Sequence, residues 1–286
     1  MTDWKQERRR LFAVAYRLLG SAAEAEDAVQ EAFLRFHSSA PADLKDTRAW
    51  LTTVTSRICF DTLKSARARR ERYVGTWLPE PLLASDDIDI GDTAALRESV
   101  RVAVLLVLET LTPAERIALI LHDAFGMDFD RVAAVVQRSP EACRQLASRA
   151  RRRVRTEAPP RTEVSTAEHH QVAAAFLAAS VDGDLDALVS MLDPHIVLRS
   201  DGGGHIPAAR HPVEGVDNVL TLLAGLGRLY EGVESIPVAL AAGEGFLLVL
   251  AGTVLGVISL DIDRGRITEM NLVVNPEKLR RFASDS

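Results

Sequence analysis

The sequence predicts a multidomain protein in which two all-α domains precede an α+β domain. Apolar residues recur at helical spacing through residues 5–72 and again through 96–157. Apolar, β-branched runs follow at 235–242, 246–251, 253–261 and 266–274. Two segments rich in proline, glycine or acidic residues, 73–95 and 158–166, are predicted to be linkers. The predicted domains are therefore 1–72, 96–157 and 167–286.

The first domain is predicted to contain three helices. Gly20 ends the first helix, and Ser21 with Glu24 forms a capping box at the start of the second. The apolar stripes of the first two helices are Leu11, Phe12, Ala15, Leu18 and Leu19, and then Ala25, Val29, Ala32, Phe33 and Phe36. The third helix is lined by Trp50, Leu51, Val54 and Ile58 and runs into a basic segment.

The second domain has the pattern of a helix-turn-helix. Thr112, Pro113 and Glu115 mark one helix start, and Ser139 caps a later helix that begins at Pro140. The turn before it, "QRS", lacks the glycine common in such turns. Arginine, glutamine and serine near a helix N-terminus can reach base edges and phosphates. The candidate DNA contacts are Pro140, Glu141, Arg144, Gln145, Ser148, Arg149 and Arg152. A helical hairpin with a solvated basic face is the alternative.

The third domain begins with two predicted helices, 167–181 and 184–192. A strand, "HIVLRS", and a helix at 215–228 precede the four β-branched runs, and "DRGR" predicts a hairpin turn between the last two. Helices followed by a strand meander indicate an α+β domain with a curved, mainly antiparallel sheet.

The charge distribution predicts contact with a polyanion at two places. Residues 163–286 hold 8 Lys/Arg and 17 Asp/Glu, whereas residues 1–162 hold 26 and 23. Basic residues concentrate in 48–72 and 141–161, each with seven basic and two acidic side chains. Cys59 and Cys143 lie in helical patterns without metal-ligand spacing and are interpreted as buried hydrophobes.

Three segments resemble the extracytoplasmic-function sigma factors of bacterial RNA polymerase, which keep regions 2 and 4. They are "DAVQEAFLRF" (27–36), "RAWLTTVTSRICFDTLKSARAR" (48–69) and "LTPAERIALILHDAFGMDFDRVAAVVQRSPEACRQLASRARRRV" (111–154). "WLPEPL", "DGGG" and "NPEKL" further resemble the subgroup with a fused C-terminal domain of SnoaL-like (NTF2-like) type. The resemblance implies region 2 over 1–72, region 4 over 96–157 and an NTF2-like cone over 167–286.

The resemblance also assigns roles. Core RNA polymerase, through its β′ and β subunits, would bind Asp27, Ala28, Val29 and Gln30, with Glu31, Leu34 and Arg35 extending that face. The melted minus-ten element would contact Arg57, Asp61, Lys64, Arg67, Arg69 and Arg70, with Trp50 and Phe60 as the available aromatic residues. The helix-turn-helix would read the minus-thirty-five element in duplex promoter DNA.

SnoaL-like domains include cyclases and isomerases, whose chemistry needs an acid–base pair inside an apolar cavity. The candidates by residue type are Asp182, Asp184, Asp193, His195, His205 and His211, and none has diagnostic spacing. Helix capping is the simpler account of Asp182 and Asp184. His205 and His211 lack an evident third metal ligand. We therefore predict no catalytic residue, metal site or cofactor; a small-molecule ligand is possible by resemblance alone.

The glycine triplet in "RSDGGGH" (199–205) does not match a phosphate-binding loop, because no helix start with Lys and Ser or Thr follows it. Glycines permit close backbone approach, so we expect an interface element near "NPEKL", facing region 2 or the "WLPEP" segment. The candidate regulatory residues are Trp77, Leu78, Pro79, Asp201, Gly202, Gly203, Gly204, Asn275, Pro276, Lys278 and Leu279.

The predicted function is that of a sigma factor whose C-terminal domain contacts the sigma domains and modulates activity in cis. A helix-turn-helix regulator that senses a ligand and acts without polymerase is the main alternative, and a cyclase-type enzyme is another. No secretory signal or membrane span is visible, so a cytoplasmic location is expected.

Overall fold

The computed structural model describes residues 4–41, 43–70, 73–84, 96, 99–158 and 166–282, without the side chains of 66–70 and 166. The chain divides into two compact units. The first comprises Met1–Arg72 and Ser85–Pro160, and the second comprises Tyr73–Ala84 and Arg161–Ser286. Regions 2 and 4, predicted as separate domains, therefore form one unit. Residues 73–84, predicted as linker, belong with the C-terminal domain.

Region 2 consists of α1 (Trp4–Leu19), α2 (Ala22–Ser39) and α3 (Thr47–Arg70). Gly20 ends α1 with φ of 69°, a conformation that glycine adopts at low cost. Ser21 caps α2 by accepting a hydrogen bond from the Glu24 amide. The predicted stripe of α1 is buried throughout. In α2, Ala25, Val29 and Ala32 are buried, while the two phenylalanines are half-buried.

The buried stripe of α3 differs from the prediction. Leu51, Thr55, Cys59 and Leu63, spaced four residues apart, face the core. Trp50, Val54 and Ile58 are only half-buried. The buried face of α3 is therefore rotated relative to the predicted stripe. The small side chains of Thr55 and Cys59 pack against the neighbouring helices, although sequence patterns count such residues as polar or neutral.

Region 4 consists of α4 (Val102–Thr110), α5 (Pro113–Leu119), a π-helical turn (Ile120–Ala124), α6 (Phe129–Val136) and α7 (Pro140–Glu157). Thr112 and Glu115 form the predicted capping box of α5. Ser139 caps α7 by accepting from the Ala142 amide. Gln137, with φ of 56° and ψ of 51°, takes the left-handed position between α6 and α7 that a glycine usually fills. The predicted helix-turn-helix is therefore present, with a strained residue in its turn.

The second unit contains α8 (Thr166–Asp182), α9 (Leu185–Met191) and α10 (Val216–Leu229). Its strands are β1 (Leu192–Asp201), β2 (Val213–Glu214), β3 (Glu234–Leu240), β4 (Gly243–Leu250), β5 (Thr253–Asp263) and β6 (Arg266–Val273). Short 3-10 turns at Pro276–Lys278 and Arg280–Phe282 follow.

The sheet has the strand order β2-β1-β6-β5-β4-β3. Strands β1 and β6 pair in parallel, and every other pair is antiparallel. The pairing register shifts within the β1–β6, β4–β5 and β5–β6 ladders, and such irregularities bend strands. Arg264 and Gly265, both with positive φ, form the predicted "DRGR" hairpin turn.

One face of this sheet packs on the helices to form an apolar core. Phe176 of α8, Leu188 of α9 and Val219 of α10 contact the sheet residues Ile196, Leu198, Phe246, Leu260, Ile262, Ile267 and Met270. The predicted fold class, helical segments followed by an α+β domain with a mainly antiparallel sheet, is confirmed. Among the residues that the structure describes, no helix is long and apolar enough to cross a membrane.

The left-handed turn residue gives a stability prediction. Replacing Gln137 by Gly removes the steric cost of a side chain at positive φ, which is about 1 kcal/mol, partly offset by the greater unfolded-state entropy of glycine. We expect the free energy of unfolding of the first unit, measured by chemical denaturation, to rise. In the matched control, Ala134→Gly in the exposed interior of α6, it should fall by about 1 kcal/mol. A Gln137→Gly chain as destabilised as the control would contradict this reading of the turn.

Candidate functional site

The DNA-reading face predicted for α7 is intact in the structure. Glu141, Arg144, Gln145, Ser148, Arg149 and Arg152 are all exposed, and Pro140 is half-buried. The opposite face, Cys143, Leu146, Ala147 and Ala150, is buried against the rest of region 4. The fold thus brings the predicted side chains together on one accessible surface.

Surface ion pairs orient two arginines of this face. Arg144 lies 3.2 Å from Glu141, and its guanidinium is 5.6 Å from the Phe129 ring centroid. Arg149 lies 3.2 Å from Glu115. Burial alone would raise the pKa of Glu115, but hydrogen bonds from Thr112 and Arg149 outweigh it, so the pKa lies below its ordinary value. Exposed pairs of this kind contribute little stability.

Sequence reasoning missed a third arginine contact. Arg151 donates two hydrogen bonds of 2.6 Å to Asp123, which lies in the π-helical turn. These hydrogen bonds to the Asp123 carboxylate raise the pKa of Arg151. No local signal pairs these residues, because they are 28 positions apart and the π turn that presents Asp123 has no distinct pattern.

The predicted minus-ten residues are already engaged with protein groups. Arg57 donates to the carbonyl oxygen of Ala134 in α6, at 2.9 Å from Nη2. Asp61 pairs with Lys64 at 2.9 Å, and the Lys64 ammonium lies 3.9 Å from the Phe60 ring centroid. The side chains of Arg67, Arg69 and Arg70 lie outside the described part of the chain. The described minus-ten candidates share one exposed face of α3, and Arg57 connects that face to the helix-turn-helix.

The predicted polymerase-binding residues of α2 fall into an accessible group and a buried pair. Asp27, Gln30, Glu31, Leu34 and Arg35 are accessible, and Leu34 is 54% exposed. Glu31 and Arg35 pair at 2.8 Å. Ala28 and Val29 are only 2% and 3% exposed. They are core residues that position the face, because they lie on the opposite side of the helix.

A buried carboxylate organises the second unit. Asp201, at the end of β1, has a fully buried side chain. It accepts hydrogen bonds from the Tyr73 hydroxyl at 2.6 Å, the Gly203 amide at 2.9 Å, the Leu78 amide at 2.9 Å and the Lys278 ammonium at 2.7 Å. We call these five residues the Asp201 anchor. It joins segment 73–84, the glycine triplet and the C-terminal turn.

Lys278 and Tyr73 complete the anchor. The Lys278 ammonium also donates to the Leu78 carbonyl and lies 4.2 Å from the Trp77 ring centroid. Tyr73 accepts a 2.9 Å hydrogen bond from Asn275. Burial and the Asp201 carboxylate raise the pKa of the Tyr73 phenol, so it stays protonated and donates. Sequence reasoning named Trp77, Leu78, Asn275 and Lys278 but missed Tyr73.

The glycine triplet packs at this cluster, to which Gly203 belongs. A Cβ on Gly202 would be 2.0 Å from the Ile206 carbonyl oxygen, and one on Gly203 would be 2.5 Å from the Asn275 side chain. Gly204, with φ of 76°, lies against Val74. Of the other predicted interface residues, Pro79 and Leu279 are buried, whereas Pro276 is exposed and starts a 3-10 turn. Pro276 therefore shapes the turn and does not fill the contact.

Segment 73–84 is also attached to the sheet edge. Leu83 bridges to Leu240 at the end of β3, with hydrogen bonds from Ala84 to Ala239 and from Ala241 to Leu82. The pairing resembles the addition of a short strand to an open edge. Residues that lie between regions 2 and 4 in sequence are thus held by the C-terminal domain at two points.

The candidate acid–base residues of the C-terminal domain do not converge. Asp182, Asp184, His195, His205 and His211 are exposed, and Asp193 is half-buried. Asp184 caps α9 by accepting from Ala187 at 3.0 Å, as predicted. Asp193 accepts from the His195 amide at 2.8 Å. Within the described residues, no group of three or more His, Cys, Asp or Glu side chains could hold a metal ion.

The Asp201 anchor predicts a large effect of removing one charge. Lys278→Met leaves a fully buried carboxylate without its cation, which costs about 3–5 kcal/mol. We expect the second unit to lose stability by that amount in chemical denaturation, and Asp201→Asn with Lys278→Met to recover part of it. Arg228→Met, an exposed cation on α10, is the control. A loss no greater than that of the control would contradict the assignment.

The comparisons with known proteins agree with this geometry. The Sigma-70 region 2 family matches residues 4–69, and the Sigma-70, region 4 family matches residues 101–154. ECF RNA polymerase sigma factor SigJ of Mycobacterium tuberculosis is 42% identical over 231 residues, covering 80% of this chain and 74% of SigJ. SigI of Mycobacterium tuberculosis is 37% identical, covering 96% and 93% of the two chains.

The crystal structure of SigJ from Mycobacterium tuberculosis matches with a TM-score of 0.76 at 35% identity, covering 97% of each chain. The likeness therefore extends over both units, including the C-terminal domain. The order of regions, the helix-turn-helix and the relatives agree on one conclusion. The chain belongs to the ECF RNA polymerase sigma factors, non-enzymatic initiation factors that bind core RNA polymerase and promoter DNA to direct transcription.

Proposed function

We propose that α7 reads the minus-thirty-five element and that the exposed face of α3 captures the melted minus-ten element. The observation that carries this proposal is the cluster of arginine, glutamine and serine side chains on the accessible N-terminal half of α7. Arg144 and Gln145 have the donor and acceptor groups that suit guanine and adenine edges in the major groove. Arg149 and Arg152 lie further along the helix and would bind phosphates, which position the helix without specifying sequence.

Core polymerase would bind the accessible face of α2, formed by Asp27, Gln30, Glu31, Leu34 and Arg35. Leu34 supplies an apolar centre, and charged side chains surround it. This arrangement is typical of a protein interface, where a desolvated apolar centre lies within a polar rim.

The α2 face gives a direct test of polymerase binding. Asp27→Arg with Gln30→Ala reverses a charge and removes a hydrogen-bonding group beside Leu34, without altering buried residues. We expect loss of co-purification with core polymerase and of run-off transcription, while circular dichroism stays unchanged. Asp217→Arg with Asn218→Ala makes the same changes on the exposed side of α10 and should bind normally. Retained binding by the α2 variant would exclude this face.

The C-terminal domain would modulate transcription initiation in cis. It would have no catalytic role, and the protein would act in the cytoplasm. Support comes from the contacts of this domain with segment 73–84, which lies in sequence between the two regions proposed to bind the promoter. A fused domain acts at high effective concentration and needs no separate anti-sigma protein. A regulator that works without polymerase would instead bind duplex promoter DNA equally well whether or not core polymerase is present.

The glycine triplet provides a test of this regulation. Alanines at Gly202, Gly203 and Gly204 would clash with Ile206 and Asn275 and displace the C-terminal turn from segment 73–84. We expect run-off transcription to change by about fivefold or more, the lower range of typical coupling energies. Gly225→Ala with Gly227→Ala, where an added Cβ meets no atom within 4 Å, is the matched control. Unchanged transcription with an intact first unit would refute regulation through this contact.

A further inference from the structure

Regions 2 and 4 are packed against each other in the first unit. Helix α3 contacts both α5 and α6. Arg57 of α3 donates to the Ala134 carbonyl of α6, and Arg131 of α6 lies 3.8 Å from Asp46, just before α3. The helix proposed to capture the minus-ten element is therefore in contact with the first helix of the helix-turn-helix.

This arrangement is too compact to read a promoter. The minus-ten and minus-thirty-five elements lie about 25 base pairs apart, which is about 85 Å of duplex at 3.4 Å per base pair. A compact unit of ~150 residues has a radius of gyration of ~15 Å and a diameter of about 40 Å. Regions 2 and 4 must separate before both elements can be bound, so the structure represents a closed state.

A buried arginine lies where the two regions meet. Arg116 of α5 is 2% exposed, and its neighbours on the region 2 side include Cys59 of α3 and Glu24 of α2, both close enough to interact electrostatically with it. Its Nη1 donates to Glu109 of α4. Its Nε and Nη2 atoms are buried and have no hydrogen-bond partner in the described chain. Burial lowers the pKa of the guanidinium, which reflects the cost of keeping it charged there.

A second buried arginine in the same unit provides a contrast. Arg17 of α1 donates from Nε to Ser99 at 2.9 Å, from Nη1 to Ala13 at 2.9 Å and from Nη2 to Leu96 at 3.3 Å. Incomplete hydrogen bonding is therefore not general for buried arginines in this unit. Arg116, between Glu24 and Cys59 of region 2 and Glu109 of region 4, differs from Arg17 in this respect.

An incompletely bonded buried charge makes the closed state less stable than an apolar contact would. Opening returns the guanidinium to water, where all its donors are satisfied, so Arg116 lowers the free energy of separating the regions. We propose that Arg116 acts as a release residue: it keeps the closed arrangement of regions 2 and 4 weak enough for core polymerase to open. This inference rests on the proposed binding of core polymerase through α2.

The test replaces Arg116 and the two carboxylates near it by neutral side chains of similar size. Arg116→Met with Glu109→Gln and Glu24→Gln leaves no unpaired charge at this contact and should tighten the closed state. Apparent affinity for core polymerase should fall at least about tenfold, because binding draws on the open fraction alone and each factor of ten corresponds to 1.4 kcal/mol. The free energy of unfolding of the first unit should rise. Arg228→Met with Glu231→Gln, two exposed residues of the second unit, is the control and should bind as the wild type does.

A distance measurement reports opening directly. Spin labels at Lys45→Cys and Asp130→Cys, exposed neighbours of the Asp46–Arg131 contact, should give one short distance in the free protein. Core polymerase should convert it to a long distance, and the Arg116 variant should need more polymerase for the same conversion.

The outcomes separate the two proposals. A variant that opens as readily as the wild type, or that is less stable than the wild type, overturns the role of Arg116. A free wild-type protein that is already open also overturns it. If the wild-type chain does not bind core polymerase at all, the proposed function itself fails, and the inference fails with it.

Discussion

The second unit depends on one buried ion pair, Asp201 with Lys278. A carboxylate removed from water needs donors for its lone pairs, and here they come from segments far apart in sequence. Tyr73 is 128 residues from Asp201, and Lys278 is 200 residues from Leu78, whose carbonyl it also binds. Satisfying this one carboxylate therefore requires segment 73–84, the end of β1 and the C-terminal turn to be assembled together. The glycine triplet follows from the same constraint, because side chains there would separate these backbones.

In the first unit, two buried arginines differ in how completely their guanidinium groups are hydrogen-bonded. Arg17 has donors matched to acceptors, whereas Arg116 lies between region 2 and region 4 with two nitrogens unbonded in the described residues. Buried charges are costly when one partner is missing, so the two arginines give contacts of unequal strength. The closed unit combines a well-satisfied contact with a weak one. Such a combination suits an arrangement that has to form and also to separate.

The surfaces proposed for partners share another property. Two exposed pairs lie within single helices, Glu31 with Arg35 on α2 and Glu141 with Arg144 on α7. Such pairs orient side chains but stabilise little, so binding a phosphate or a polymerase subunit displaces little. The contrast with the Asp201 anchor is one of solvation: the buried Asp201–Lys278 pair defines the fold of the second unit, whereas these exposed pairs remain accessible to partners.

Local chemistry allowed the sequence by itself to determine much of this protein. Caps at Ser21, Thr112, Ser139 and Asp184 act within four residues, so the helix starts and the helix-turn-helix were predictable from local sequence. The sigma family was indicated by resemblance of whole segments. Only the tertiary structure decided that α3 buries Thr55, that Ala28 lies in the core, and that residues 73–84 join the C-terminal domain. The contacts of Tyr73 with Asp201 and of Arg116 with Glu109 were likewise visible only in the tertiary structure. These features arise from contacts between distant segments, which no local periodicity encodes.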